Sequence, residues 1–381
     1  MSRLTWAALG AASQPFLTAA AQTSPINTSS GWNMPVGVTE ISREVFGLHM
    51  TIFWICVAIA VVVFGVMFYS LIAYRKSKGA SAAHFHENTA VEILWTAVPM
   101  VILVLMAVPA TATLKKMYDT SQADIDILVT GYQWRWRYEY LENDVEFFSN
   151  LATPREQIYG TQAKGNNYLV EVDEAMVVPT GQKIRLLLTA NDVIHSWWVP
   201  DLAVKKDAIP GFVNETWFEV DEPGVYRGQC AELCGSGHAM MPIEVRAVTP
   251  EDYAIWLDSK REAAAAEAEG AGREWSMDEL MERGEATYAT YCAACHQPDG
   301  KGVPPAFPAL AGEGISVDPN ALDDHKQIVL YGRTGTAMSA FGENLSPSDI
   351  AAVITYERNA WGNETGDKVQ PAEIQSMLES E

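Results

Sequence analysis

Basic side chains are in short supply in this 381-residue sequence. Its 26 Lys and Arg stand against 48 Asp and Glu, a formal charge of −22 at pH 7. A surface of that sign does not hold phosphate backbones, so a nucleic-acid role is excluded; it suits a basic partner, or plain solubility of an exported domain. Cysteine is scarcer still. Of the five, four fall in two short motifs and Cys56 sits alone in an apolar run, leaving no set for a disulfide framework. There is no internal repeat, and no low-complexity stretch beyond one Ala/Glu-rich segment. Charge itself vanishes from two windows, residues 45–74 and 93–114. Each is long enough to cross a bilayer, which takes roughly 20 apolar residues.

The chain has room for two or three domains. Residues 1–21 carry Arg3 and end in Thr18-Ala-Ala-Ala21, the pattern of a cleavable signal peptide. The two uncharged windows predict a transmembrane helix hairpin over residues 40–114, with Pro99 and Pro109 inside its second span. Arg75, Lys76 and Lys78 place the connecting loop in the cytoplasm, although Lys115 and Lys116 count the other way. Residues 121–248 turn β-patterned. Short runs at 127–130, 168–172, 183–188, 216–220 and 243–247 are rich in β-branched and aromatic residues, at intervals that predict a β-sandwich. An Ala/Glu-rich linker, helical or semi-rigid, is expected over 249–276. Residues 277–362 follow with helical patterns around a Gly/Pro-rich middle and form a third domain.

Two motifs carry chemistry. Cys230-Ala-Glu-Leu-Cys234-Gly-Ser-Gly-His238-Ala-Met-Met241 gathers two thiols, an imidazole and a thioether, and His195 adds a second imidazole from another β-patterned segment. Thiolates bridge two metals, and these soft donors suit a pair of copper ions. Zinc also takes Cys₂His₂, although a methionine has no place in a closed zinc site. A Cys230–Cys234 disulfide is the third possibility, and it leaves both histidines unexplained. The second motif is Cys292-Ala-Ala-Cys295-His296, the attachment signature of a c-type haem, with His296 as iron ligand. Haem is attached this way outside the bacterial inner membrane, which fixes the side on which the third domain lies.

The stretch Tyr226-Arg-Gly-Gln-Cys230 through Met241-Pro242 resembles the binuclear copper (CuA) loop of the cytochrome c oxidase subunit 2 family. Val193-Ile-His-Ser-Trp-Trp-Val-Pro200, Lys205-Lys-Asp-Ala-Ile-Pro-Gly211 and Gly131-Tyr-Gln-Trp-Arg-Trp-Arg-Tyr-Glu-Tyr140 resemble flanking family segments, and the likeness spans about residues 40–247. It implies a two-helix transmembrane hairpin and an all-β cupredoxin-like sandwich; with the all-α cytochrome c domain that the haem motif's surroundings resemble, the chain reads as a multidomain membrane protein. The copper ligands it implies are the side chains of His195, Cys230, Cys234, His238 and Met241, with the backbone carbonyl of Glu232. The Glu232 carboxylate would reach a magnesium ion shared with subunit 1. Trp134 matches the tryptophan through which electrons arrive, or is an aromatic packed on the sandwich for stability. Glu92, in Ala90-Val-Glu-Ile-Leu-Trp95, matches a glutamate at the mouth of a proton channel, or simply reaches the membrane boundary.

Residues 284–291, 300–310 and 332–341 around the haem motif resemble a class I cytochrome c, in which Met338 is the distal iron ligand. Met338 as a core gap-filler and His325 as the ligand remain alternatives, and Met377 reads as part of a polar tail. The resemblance implies the electron-input subunit of a proton-pumping cytochrome c oxidase in the bacterial inner membrane, with its copper and haem domains on the outer face. Subunits 1 and 3, a cytochrome c or other donor, and membrane lipid are its expected partners. A CuA-bearing subunit of a nitric oxide reductase and a membrane copper-delivery protein are the alternatives.

Overall fold

A computed structural model describes residues 33–81, 86–305, 307–336, 338, 340–342 and 345–380; the expected signal peptide lies outside them. The chain divides into two compact units, Met1–Leu257 and Asp258–Glu381.

The first unit opens with two long helices, α1 (Glu40–Ala73) and α2 (Thr89–Met117). A capping box starts α1: Thr39 accepts from the Ser42 N–H while the Ser42 hydroxyl accepts from the Thr39 N–H. Asn88 caps α2 by accepting from the Val91 N–H. At 1.5 Å per residue the helices run about 51 and 43 Å, beyond the roughly 30 Å of a hydrocarbon core. Their apolar side chains are exposed all round, Trp54 by 61% and Leu105 by 68%. Lipid is the solvent that suits such a surface.

Both outer ends of this hairpin are tied to the domain that follows. The Val38 N–H donates to the Asp201 carbonyl (2.9 Å) and the Thr39 hydroxyl to that of Leu202 (3.2 Å). At the end of α2 the Trp217 indole donates to the Lys116 carbonyl (3.0 Å), and Lys183 Nζ donates to the carbonyls of Asp119 and Ser121.

That domain is a sandwich of two five-stranded sheets. The strands are β1 (Ile125–Tyr132), β2 (Arg135–Tyr140), β3 (Val145–Ser149), β4 (Met176–Pro179), β5 (Lys183–Ala190), β6 (His195–Val199), β7 (Val204–Ala208), β8 (Asn214–Glu219), β9 (Gly224–Cys230) and β10 (Pro242–Val248). Their order is β3-β2-β1-β5-β8 in one sheet and β4-β10-β9-β6-β7 in the other. A short helix, α3 (Arg155–Ile158), lies between β3 and β4. Alternation sends Ile125, Ile127 and Val129 of β1 inward, where they meet Trp136, Tyr138, Trp197 and Phe218.

In and just after the sandwich the structure corrects two sequence expectations. Residues 168–172 form turns in which only Val172 bridges Leu151. Leu169 takes a φ of 62° there, which breaks an extended run; the strand is β4, whose four residues are all buried. The linker does form a helix, α4 (Pro250–Gly272), but its first turns belong to the sandwich: Tyr253 and Leu257 are in its core, and Trp256 packs on Tyr140.

The second unit is helical: α5 (Met277–Thr287), a π-helical turn at Tyr288–Cys292, α6 (Ala293–His296), α7 (Leu322–Tyr331), α8 (Pro347–Asn359) and α9 (Pro371–Glu379). Helices α5 and α8 touch at Gly284, where a Cβ would stand 2.2 Å from the Ala352 carbonyl oxygen. The helical core also runs past residue 362. Ile374 on α9 is fully buried and Met377 and Leu378 pack beside it, so what reads as a polar tail presents an apolar stripe at helical spacing. Lys326 of α7 fixes α9 through Glu373 at 2.9 Å.

Candidate functional site

Sheet register assembles the first cluster. Trp197 on β6 pairs with Cys230 at the end of β9, the Ala231 N–H donates to the Ser196 carbonyl, and the Cys230 N–H donates to that of Met241. The loop between β9 and β10 is thereby closed over the start of β6, where His195 sits fully buried. The two sulfurs lie 3.8 Å apart. Cys230 Sγ is 4.0 Å from His195 Nδ1, and Cys234 Sγ is 3.5 Å from His238 Nδ1. The Glu232 carbonyl oxygen stands 3.3 Å from Cys230 Sγ while its side chain faces solvent. Met241 is buried in the core just past the loop.

A disulfide needs sulfurs about 2.05 Å apart, so this pair is not one. Two metal–sulfur bonds of about 2.3 Å reach across the observed gap, so both thiolates can share an ion. Each thiol also faces an imidazole of its own, and His195, Cys230 and Cys234 bring their donor atoms within 4.8 Å of one another. Two ions sharing both sulfurs fit that donor set better than one ion at the centre of four ligands.

The electrostatics point the same way. Burial opposes protonation of His195, but hydrogen bonds to Asp192 and Cys230 outweigh it and raise the imidazole to about 9. Burial opposes ionisation of Cys230, yet its hydrogen bonds, that with His195 foremost, bring the thiol down to about 7. Cys234 is pushed up to about 12 by burial and by the neighbouring Cys230 charge. The pocket accommodates one thiolate unaided, and a second calls for added positive charge.

Sequence reasoning missed a second layer. Asp192 Oδ1 accepts from His195 Nε2 at 2.8 Å, which leaves Nδ1 for the sulfur side. Gln133 Nε2 and Trp134 Nε1 both donate to the Cys234 carbonyl, at 2.7 and 3.1 Å. Glycines make these approaches possible: a Cβ on Gly131 would stand 2.7 Å from the His195 ring, and one on Gly237 2.3 Å from the Trp134 ring. Asp192 lies three residues before His195, but spacing in an irregular loop shows no hydrogen bond. Glu92 is not part of this cluster; it sits in the first turn of α2, about 38 Å along the helix from Met117, and its carboxylate accepts from the Asn88 N–H.

The second cluster is in the helical unit. Cys292 ends the π-helical turn, and Cys295 and His296 follow on α6. His296 Nδ1 lies 2.9 Å from the Pro308 carbonyl. A carbonyl only accepts, so Nδ1 carries the hydrogen and Nε2 is left bare to ligate. Tyr288 donates to the Gln297 carbonyl and pins the turn after His296. The Met338 main chain is held by Thr336 and Arg333, and its half-buried side chain packs on the helical core. His325 is elsewhere engaged, with Nε2 bonded to Glu357. A thiol pair, an imidazole with one nitrogen oriented and the other bare, and a thioether on a pinned loop fit a c-type haem.

The chain is similar to known proteins along most of its length. Residues 125–248 match the periplasmic domain of cytochrome c oxidase subunit II, residues 27–112 its transmembrane domain, and residues 279–356 subunit III of the cbb3-type cytochrome c oxidase. The probable cytochrome c oxidase subunit 2 of Rickettsia bellii is 39% identical over 242 residues, 63% of this chain and 87% of the relative. Cytochrome c oxidase subunit 2 of Cereibacter sphaeroides is 35% identical over 277 residues, 68% of this chain and 91% of the relative. Among solved structures, the periplasmic domain of subunit II of the Bradyrhizobium japonicum cytochrome oxidase is 41% identical, with a TM-score of 0.34, covering 38% of this chain and 98% of that one. Fold and site together define a membrane-anchored cupredoxin-like protein with a fused cytochrome-type domain. The chain belongs to the cytochrome c oxidase subunit 2 family.

Proposed function

We propose that this chain is the electron-input subunit of a bacterial cytochrome c oxidase, taking electrons from a cytochrome c or another donor and handing them to subunit 1, where dioxygen is reduced to water and protons are pumped. When bound, a covalently attached haem c and a binuclear copper (CuA) centre supply one-electron redox chemistry. Cys230 and Cys234 would bridge the copper ions, with His195 and His238 as terminal ligands and Met241 and the Glu232 carbonyl completing the set. Cys292 and Cys295 would hold the porphyrin by thioethers, with His296 and Met338 on the iron. Trp134, hydrogen-bonded to the carbonyl of the ligand residue Cys234, would offer electrons a π surface beside the metal site. The exposed Glu232 side chain would reach a magnesium ion shared with subunit 1, and Glu92, in the first turn of α2, would serve a proton channel of subunit 1.

In this reading the hairpin lies in the inner membrane against subunits 1 and 3 and lipid, with both redox domains on the outer face. The observation that carries it is the sulfur pair at 3.8 Å with a separate imidazole beside each thiol. Optical and electron paramagnetic resonance spectroscopy of the intact chain, loaded with copper and haem, is the test. A mixed-valence copper signal beside a low-spin haem c is expected; a single zinc ion, or a disulfide between Cys230 and Cys234, overturns it.

A further inference from the structure

The corner that follows α8 grips both ends of the loop that serves His296, and the roles above give this grip no task. Trp361 takes a φ of 54° there. A bulky residue adopts that left-handed conformation only where its surroundings hold it. Here aromatic packing does so: the indole meets Tyr288 edge-on at 4.7 Å and Tyr356 at 5.2 Å. Its Nε1 donates to the Pro298 carbonyl at 3.2 Å. Gly300 passes against the same ring, where a Cβ would stand 2.7 Å away.

Two residues on, Asn363 takes the other end of the loop. It is 2% exposed. Its Nδ2 donates to the Leu310 carbonyl at 2.8 Å and to that of Glu357 at 2.7 Å, and its Oδ1 accepts from the Gly312 N–H at 2.8 Å. The two gripped ends are also bonded to each other, because the Gly300 carbonyl accepts from the N–H groups of Leu310 (2.7 Å) and Ala311 (3.0 Å). Pro308 stands just before that closure, and its carbonyl is the one 2.9 Å from His296 Nδ1. Gly302 completes the fit: its N–H donates to the His296 carbonyl, and a Cβ on it would stand 2.4 Å from the Pro308 oxygen.

We propose that Trp361 and Asn363 are positioning residues for the iron ligand His296, acting through the loop that holds the Pro308 carbonyl on its ring. This rests on the haem-binding reading above. An acceptor fixed on the Nδ1 hydrogen sets the ring's orientation and raises the basicity of the nitrogen left for the metal. A more basic ligand favours the ferric haem, so hydrogen bonding behind the ligand is a lever that lowers the potential. Slackening either grip lets the Pro308 carbonyl drift, and the potential rises.

The test is a spectroelectrochemical titration of haem c in the intact, haem-loaded chain in detergent, with the g values of the ferric haem as a second readout. Trp361→Phe keeps a ring and loses the bond to Pro298; Asn363→Ala loses three bonds. Both are expected to raise the potential and shift the g values, Asn363→Ala by more. Ile374→Ala opens the core of the same unit at α9; it is expected to lower the melting temperature and leave both readouts alone. If Asn363→Ala takes up no haem, Trp361→Phe decides alone. Loaded variants with the wild-type potential and g values overturn this inference alone, and so does an equal shift in Ile374→Ala, which would make the effect one of general packing. A wild-type chain that binds no haem overturns the haem-binding reading together with it.

Discussion

The two nitrogens of the His195 ring are divided between a carboxylate and a thiol: Nε2 lies 2.8 Å from Asp192 Oδ1, and Nδ1 lies 4.0 Å from Cys230 Sγ. Asp192 is itself fixed independently of the ring, because it accepts from the backbone N–H groups of Gln133 (2.7 Å) and Val193 (2.6 Å). Asp192→Ala leaves the ring without this anchor. Copper retention is expected to weaken about 10- to 100-fold, with shifted optical bands, as measured by chelator competition. Wild-type retention and spectrum would mean that packing alone orients His195.

Trp134 depends on the absence of a side chain at residue 237. A methyl group there would stand 2.3 Å from the indole, so Gly237→Ala must move the ring off the Cys234 carbonyl. Overpacking of this kind costs about 1–3 kcal/mol. Electron uptake from a reduced donor is expected to slow on the order of tenfold to a hundredfold, because small displacements of a reacting group carry large rate penalties. Stopped-flow reduction at the wild-type rate would remove Trp134 from the electron route.

Met338→Ala removes the thioether from the loop between α7 and α8. The haem potential is expected to fall and the copper spectrum to stay as it is, since the two clusters lie in separate units. A haem potential that does not move would rule Met338 out as the axial ligand.

Asp201 gives a pH-dependent prediction. Its side chain is 3% exposed, Oδ1 has no partner among the described residues, and burial raises its pKa above the ordinary 3.8. The folded state thus binds this proton more tightly than the unfolded state does, and the group's contribution to stability declines as pH rises from the unfolded value through the folded one. Asp201→Asn removes the titration. It is expected to stabilise the sandwich at neutral pH by on the order of 1 kcal/mol, the scale of an unsatisfied buried polar group. Thermal melts at several pH values would show the gain shrinking in acid; a gain independent of pH contradicts the assignment.

The parts of this chain that could be read in advance are those whose chemistry is local in sequence. The Cys230–Met241 loop and the Cys292–His296 motif state their donors outright, and the hairpin shows itself by length and lack of charge. What stayed hidden depends on contacts between distant segments. The Pro308 carbonyl reaches His296 across a Gly/Pro-rich loop, and Gln133 meets the Cys234 carbonyl through the packing of the two sheets. Residues 168–172 have strand-like composition, yet Leu169 takes a left-handed backbone conformation there. In α9 the short apolar stripe of Ile374, Met377 and Leu378 is diluted by polar neighbours until the helix packs against its unit.

The four attachments joining Val38, Thr39, Lys116 and Lys183 to their partners make the sandwich a rigid outgrowth of the hairpin rather than a bead on a string. A protein that must deliver electrons across a gap benefits from such stiffness, since tunnelling rates collapse with each added ångström. The fastening settles how far the thiol pair stands from the lipid before any other subunit docks.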